Sequence, residues 1–260
     1  MPSVYDQLRD ALRAEQPVAL ATVVEGPNAG AKLLVRPGQE PVGHLGQPDL
    51  DRVVARDALG ELAAGLTSTR HYGPRGEARE RDVSVFIESF APPPRMVIFG
   101  AVDFTAALAD AAKGLGYRVT VCDARAVFAT RQRFPMADEV VNDWPDRYLA
   151  KVADELGPRD AVCVLTHDAK FDVPAIVAAL DTDVGYLGAM GSRRTHLKRV
   201  ERLREAGVDD AGLARVMAPI GLDIGARTPQ ETAISICAEI IALHTGRVAP
   251  SLRDGSGPIH

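Results

Sequence analysis

The chain is poor in the features that would tie it to a metal, a membrane or a nucleic acid. Its three cysteines, Cys122, Cys163 and Cys237, stand far apart in apolar runs, and none has Cys-x-x-Cys or zinc-ligand spacing. Buried, reduced thiols are the expectation, and so low a count fits the cytoplasm. No window is apolar for long enough to span a bilayer, and Met1-Pro-Ser-Val-Tyr-Asp6 lacks the basic stretch and apolar run of a signal peptide. Basic residues are not in excess: 30 Lys and Arg stand against 35 Asp and Glu, a formal net charge of −5. Neutralising the phosphates of a nucleic acid needs a basic face, so no nucleic-acid partner is expected. Arg70, His71, Arg75, Arg79 and Arg81 make a local basic patch, read as solvated surface. Also missing are a Walker A motif, a Gly-x-Ser-x-Gly elbow, a ligand set with metal spacing and an evident nucleophile. On these grounds no catalytic residue and no metal site are assigned.

What is present is an ordinary globular composition, 46% apolar and 25% charged over 260 residues, long enough to bury a core. Ala91-Pro-Pro-Pro94 is the clearest boundary, because its prolines suit a stiff connector and neither a helix nor a central strand. Before it come a helix over 4–15, strands over 18–24 and 31–35, a Gly/Pro-rich loop over 38–48 and a helix over 49–64. With strands over 66–72 and 82–89, these predict a small α+β domain at 1–90. After the connector, strands over 95–99, 117–122, 139–141, 160–165 and 184–187, and one near 216, alternate with helices. The helices fall at 104–113, 145–156, 173–180, 192–206 and 228–244. That rhythm predicts an α/β domain at 95–248 built on a doubly wound, mostly parallel sheet, followed by a loose tail at 249–260.

In such a sheet ligands bind at the carboxyl ends of the strands, which singles out a few loops. Gly100-Ala-Val-Asp-Phe-Thr105 sits where a dinucleotide fold carries its glycine fingerprint, but only the first glycine is present. Asp103 would cap the following helix and put negative charge where a phosphate would lie, so an NAD(P) pyrophosphate is disfavoured there. Asp123, ending the next strand, occupies the usual place of a ribose-binding acid. Thr166-His-Asp-Ala-Lys-Phe-Asp172 offers His167 and Asp168 as a proton-transfer or ligand pair, or simply as a polar turn whose aspartate caps a helix. Gly188-Ala-Met-Gly-Ser-Arg-Arg194 combines glycines, a helix start and paired arginines. Arginines oppose the dipole at a helix N-terminus, so Gly188, Gly191, Ser192, Arg193 and Arg194 read as an anion-binding corner. The bland alternative is a glycine turn with a serine cap. The long segment Ala218 to Arg227, with Asp223 and Gly225, reads as a site-lining loop, in which Asp223 could pair with Arg227 or bond nearby backbone.

The runs Tyr186-Leu-Gly-Ala-Met-Gly-Ser-Arg-Arg-Thr195, Ala218-Pro-Ile-Gly-Leu-Asp-Ile-Gly-Ala-Arg-Thr-Pro-Gln-Glu231 and Ser235-Ile-Cys-Ala-Glu-Ile-Ile241 closely resemble the XdhC/CoxI family. Thr166-His-Asp168 also fits its pattern, while the first domain matches more weakly through Gly30–Val35, Gly43–Gly46 and Val85–Glu88. The family comprises accessory factors for xanthine dehydrogenase and carbon monoxide dehydrogenase. The resemblance implies a Rossmann-like second domain, often a dimer, and binding of the molybdenum cofactor (molybdopterin or its dinucleotide form), help with its sulfuration, and its delivery to a molybdenum hydroxylase. It also exposes departures. Asp49 stands in place of the family's Gly-Gly-Gly-Cys-Leu-Glu cysteine, Arg79-Glu-Arg81 in place of its Cys-Gly-Gly, and Gly100–Thr105 in place of its Gly-Ala-Gly-His-Val-Gly.

Three readings follow: a cofactor-binding maturation factor, an NAD(P)-dependent oxidoreductase suggested by the sheet rhythm and Asp123, and a non-catalytic nucleotide-binding regulator. Loss of the glycines at Val102 and Thr105 places the phosphate expectation at Ser192-Arg-Arg194.

Overall fold

The computed structural model describes residues 3–78 and 80–254; Arg79 of the basic patch and the tail beyond residue 254 lie outside the described residues. The described chain divides into two compact units, Met1–Pro92 and Pro93–His260.

The first unit runs α1 (Val4–Arg13), β1 (Val18–Glu25), β2 (Lys32–Val35), β3 (Val42–His44), α2 (Pro48–Ala64), β4 (Ser68–Tyr72) and β5 (Val83–Phe90). Its antiparallel sheet has the order β3-β2-β1-β5-β4. The two-residue period of a strand sorts the side chains between its faces. Ala19, Ala21, Val23, Val85 and Ile87 pack under Leu50, Val54 and Leu62 of α2. Val18, Leu20 and Leu34 turn the other way, toward Ala11 of α1. The expected 38–48 loop contains β3, a correction. A three-residue edge strand with glycine at its centre carries no periodic signal, and a Cβ on Gly43 (φ +98°) would strike the Lys32 carbonyl of β2.

The second unit comprises β6 (Arg95–Phe99), α3 (Asp103–Gly114), β7 (Arg118–Cys122), β8 (Glu139–Val141) and α4 (Pro145–Val152). There follow β9 (Ala161–Val164), α5 (Ala169–Leu180), β10 (Tyr186–Ala189), α6 (Arg193–Glu205), α7 (Asp210–Ala214), β11 (Val216–Met217) and α8 (Pro229–His244). The six strands are parallel, in the order β11-β10-β9-β6-β7-β8. This is the doubly wound arrangement, with its switch point between β6 and β9.

Both sheet faces are buried. Met96, Ile98, Val119 and Cys163 meet α3 and α8, whose Leu108, Ile236 and Ile240 face them. Val97, Phe99, Val162 and Val164 meet Leu149 of α4, Ile176 of α5 and Leu203 of α6. The start of α8 follows its punctuation: the Thr228 side chain accepts from Glu231 N–H, and Glu231 returns to Thr228 N–H. Two boundaries need correction. α5 begins at Ala169, a turn ahead of the expected 173, because Asp168 caps it there and accepts from Lys170 N–H. The short α7 is additional.

Candidate functional site

At the carboxyl end of β9, Thr166 and His167 lead into Asp168, which caps α5 and pairs with Lys170 at 3.3 Å. One turn into α5 lies Asp172, a residue placed in a loop by sequence reasoning and in fact buried. It accepts from Thr166 Oγ1 and, at 2.9 Å, from Arg199 Nη2 of α6. Arg199 also donates to the Met190 carbonyl at 2.7 Å, which ties the end of β10 to α6. Only 3% of Arg199 is exposed, and its Nη1 has no hydrogen-bond partner among the described residues. A buried guanidinium normally uses its donors. Burial pushes the Asp172 carboxyl above the usual range, against the opposing hydrogen bond and charge of Arg199. Burial and the charge of Arg199 hold the neighbouring His196 imidazole below its usual range.

α6 starts as an anion corner would require. Gly191 (φ +147°) makes the turn, and the Ser192 hydroxyl accepts from Thr195 N–H at 3.1 Å. Arg193 and Arg194 are the first helical residues and are exposed, and neither has an ion-pair partner among the described residues. Between α5 and α6 lies a pocket of about 130 Å³. His167 and Asp172 line it from the α5 side, and Arg194, Lys198, Arg199 and Arg202 line it from α6. Arg194, Lys198 and Arg202 fall at i, i+4 and i+8, so their charges share one helix face. Like charges at that spacing destabilise a helix. Arg202, in the last turn, complements the helix dipole, but Arg194 at the helix start and Lys198 in mid-helix have no such reason, and the concentration of cations suits a polyanion.

Of the sequence-derived candidates, the pocket brings together His167 and Arg194, at the corner made by Gly191, Ser192 and Arg193. Sequence reasoning missed Lys198, Arg199 and Arg202, although the i, i+4, i+8 spacing of the outer cations was readable. Other candidates have structural work elsewhere. A Cβ on Gly188 would meet Ile220 Cδ1 at 2.5 Å and Tyr186 Cε1 at 2.8 Å, so this glycine makes room for packing. Gly100 (φ +105°) lets the β6 end approach Thr166, whose Cγ2 would lie 2.7 Å from an added Cβ.

The Asp123 carboxylate accepts from Ala101 N–H at 2.8 Å, Arg125 N–H at 2.9 Å and the Arg125 guanidinium at 2.9 and 2.8 Å. Burial alone would raise this carboxyl, but those hydrogen bonds hold it below the usual aspartate range. Both oxygens are thus engaged. Asp103 does not cap α3, a correction: Val102 occupies the cap position, and Thr105 Oγ1 accepts from Val102 N–H at 3.3 Å. Asp223 and Gly225 are exposed in the loop before α8, which is pinned through Gly221 N–H to Glu239 and Ser235 Oγ to the Leu222 carbonyl. No ion pair joins Asp223 to Arg227 among the described residues.

The thiols are free and buried. Burial pushes Cys122 up to about 12 and Cys237 up to about 11, and Cys163 is raised further for the same reason. None is a ready thiolate. In the first unit, Asp49 lies in the first turn of α2 and pairs with Arg52 at 3.2 Å. Arg70 of the basic patch is neutralised by Glu61 at 2.6 Å. Among the described residues no group of three or more His, Cys, Asp or Glu could hold a metal ion, and no helix is long and apolar enough to cross a membrane.

Residues 96–240 match the family model described as "XdhC Rossmann domain", and residues 11–73 match that described as "XdhC and CoxI family". The chain is 32% identical over 237 residues to the Escherichia coli (strain K12) protein named "Uncharacterized protein YqeB", covering 86% of this chain and 43% of that one. It is 32% identical over 192 residues to a Bacillus subtilis (strain 168) protein named as a probable xanthine dehydrogenase subunit, covering 68% and 56%. Over 98 residues it is 33% identical to "Molybdenum cofactor insertion chaperone PaoD" of Escherichia coli (strain K12), covering 38% and 31%. The chain therefore spans about half, or less, of the length of these relatives. A crystal structure titled as a xanthine dehydrogenase from Bacillus halodurans superimposes with a TM-score of 0.55 at 22% identity, covering 96% of this chain and 98% of that one. At that identity the likeness concerns the fold.

Proposed function

Because the chain belongs to the XdhC and CoxI family, we propose that it is a maturation factor for a molybdenum hydroxylase and holds the molybdenum cofactor by its phosphate end between α5 and α6. The observation that carries this reading is the buried Arg199, whose Nη1 lacks a partner among the described residues and lies beneath a pocket lined by Arg194, Lys198 and Arg202. Those residues fit a phosphate or diphosphate: the donors are cationic, and the one carboxylate among them is already spent on Arg199. The relatives named as a molybdenum cofactor insertion chaperone and as part of a xanthine dehydrogenase support the choice of cofactor and of client. The cofactor supplies the client's redox-active metal. This chain's residues bind and orient it, with Ser192 fixing the start of α6 and Asp172 fixing Arg199.

Sulfur transfer through Cys122, Cys163 or Cys237 is no part of the reading, since each thiol is buried and held protonated. An NAD(P) site at the first loop is disfavoured, because Asp123 is committed to Arg125 and Ala101. The test is gel filtration of the purified protein with free molybdenum cofactor, followed by pterin fluorescence. Co-elution with the wild type and its loss in Arg194→Glu support the reading. Absence of co-elution, or equal retention by Arg194→Glu, overturns it.

A further inference from the structure

Beside the pocket, the same rim of the sheet carries a second surface that the phosphate reading does not use. Phe128 and Trp144 are 37% and 40% exposed, and neither belongs to the buried clusters. Trp144 leans on Phe171 with ring centroids 5.1 Å apart. The Arg125 guanidinium lies 4.5 Å from the Phe128 centroid and 5.9 Å from that of Phe171. Arg133 faces Phe128 at 5.5 Å and Lys170 faces Phe171 at 4.8 Å. Significant cation–π contacts arise roughly once per 70–80 residues in proteins. The five cation–ring approaches among the described residues all fall between Arg125 and Phe171 in sequence, and four of them involve Phe128 or Phe171, the fifth being Arg133 on the buried Phe134.

The fold holds this surface in place without burying it. Asp123 grips Arg125 through both carboxylate oxygens, which fixes the plane of the guanidinium. Phe171 belongs to the first turn of α5, and His167, just ahead of that helix, lines the cationic pocket. The β9–α5 turn therefore stands between a phosphate-type pocket and a surface that carries the partly exposed Phe128 and Trp144 and the Arg125 guanidinium, backed by the buried Phe171. Flat, polarisable faces of this kind stack on planar heterocycles and need no hydrogen-bond readout to do so.

We propose that Arg125, Phe128 and Trp144 form a stacking subsite for a planar nitrogen heteroaromatic ring, a nucleobase or a pterin, of the ligand whose phosphate lies between α5 and α6. The proposal rests on the reading of that pocket as the phosphate end, and it adds a second anchor at the opposite side of the turn.

Trp144 is the only tryptophan in the chain, so its fluorescence reports on this surface alone. The wild type and Phe128→Ala are titrated with pyrophosphate, adenosine and cytidine diphosphates, and free pterin, following tryptophan emission. Calorimetry supplies affinities for these proteins and for Trp144→Leu, which keeps an apolar contact on Phe171. Quenching by ring-bearing ligands, and nucleoside diphosphates or pterin binding that falls about tenfold in both variants while pyrophosphate affinity holds, support the subsite. Selective quenching by pterin identifies the ring as pterin, and selective quenching by the nucleotides identifies it as a base. If ring ligands quench but pyrophosphate gives no heat, the phosphate reading falls and the stacking subsite stands. If nucleoside diphosphates bind no tighter than pyrophosphate and pterin leaves Trp144 unchanged, the subsite is overturned and the pocket stands. Binding of none of the ligands overturns both.

Discussion

Arg199 donates to the Asp172 carboxylate at 2.9 Å, with both side chains buried, and this pair joins α6 to α5 beneath the cationic pocket. Removing one partner of a buried pair strands the other charge, which costs about 3–5 kcal/mol. Asp172→Ala is expected to lose stability on that scale in urea unfolding. A loss under about 1 kcal/mol, the range of an exposed pair, would show that the contact does not organise the site.

The stripe Arg194, Lys198 and Arg202 is expected to trade stability for binding. Each like-charged i,i+4 pair costs roughly 0.2–0.5 kcal/mol, and Lys198→Glu turns two such repulsions into attractions while adding one repulsion with Glu201 three residues on. Without anion, Lys198→Glu should therefore melt slightly above the wild type. With pyrophosphate at a hundred times its Kd, the wild type should gain roughly 2.7 kcal/mol and the variant almost nothing. Melting curves at matched ionic strength check both halves. A variant that melts lower and responds equally to pyrophosphate contradicts the assignment.

The commitment of Asp123 to Arg125 and two backbone N–H groups predicts a pH dependence. Its carboxyl is lower in the folded protein than the ordinary value near 3.8. A depressed carboxyl contributes stability that is complete above its unfolded pKa and is lost as pH falls through the folded one. The stability difference between the wild type and Asp123→Asn should thus be constant above about pH 5 and shrink on acidification below about pH 4. A difference that grows on acidification would mean that the group is raised, not lowered.

Native Cys122, Cys163 and Cys237 should resist alkylation, because the thiolate is the reactive form and burial disfavours it in each. Mass spectrometry after iodoacetamide at pH 8 is expected to find no adduct on the folded protein and adducts on all three thiols in denaturant. Rapid native modification of any one would reopen a sulfur-handling role.

The parallel sheet was legible because strands such as Met96–Phe99 and Ala161–Val164 are continuous apolar runs between helical periods, and α8 because Thr228, Pro229 and Glu231 mark its start. β3 was hidden, since three residues centred on Gly43 show no alternation. The first turn of α5 was not legible, because Ala169-Lys-Phe-Asp172 carries a polar pattern and only the Asp168 cap shows that the helix starts there. His167 and Arg194, which line the pocket, could be picked out as candidates from their loop and helix-start positions. Arg199 could not: within so charged a helix it reads as solvated, and only its contact with Asp172 reveals that it is buried. The packing role of Gly188 was not legible, because the Ile220 side chain that needs its space lies more than thirty residues further along the chain.

The most direct test of the central claim is a crystal structure of the protein with bound pyrophosphate. Density for the diphosphate between α5 and α6, within hydrogen-bond distance of Arg194, Lys198 and Arg199, is the predicted result. Density at the Gly100–Thr105 loop instead, or none between α5 and α6 at saturating pyrophosphate, would contradict it.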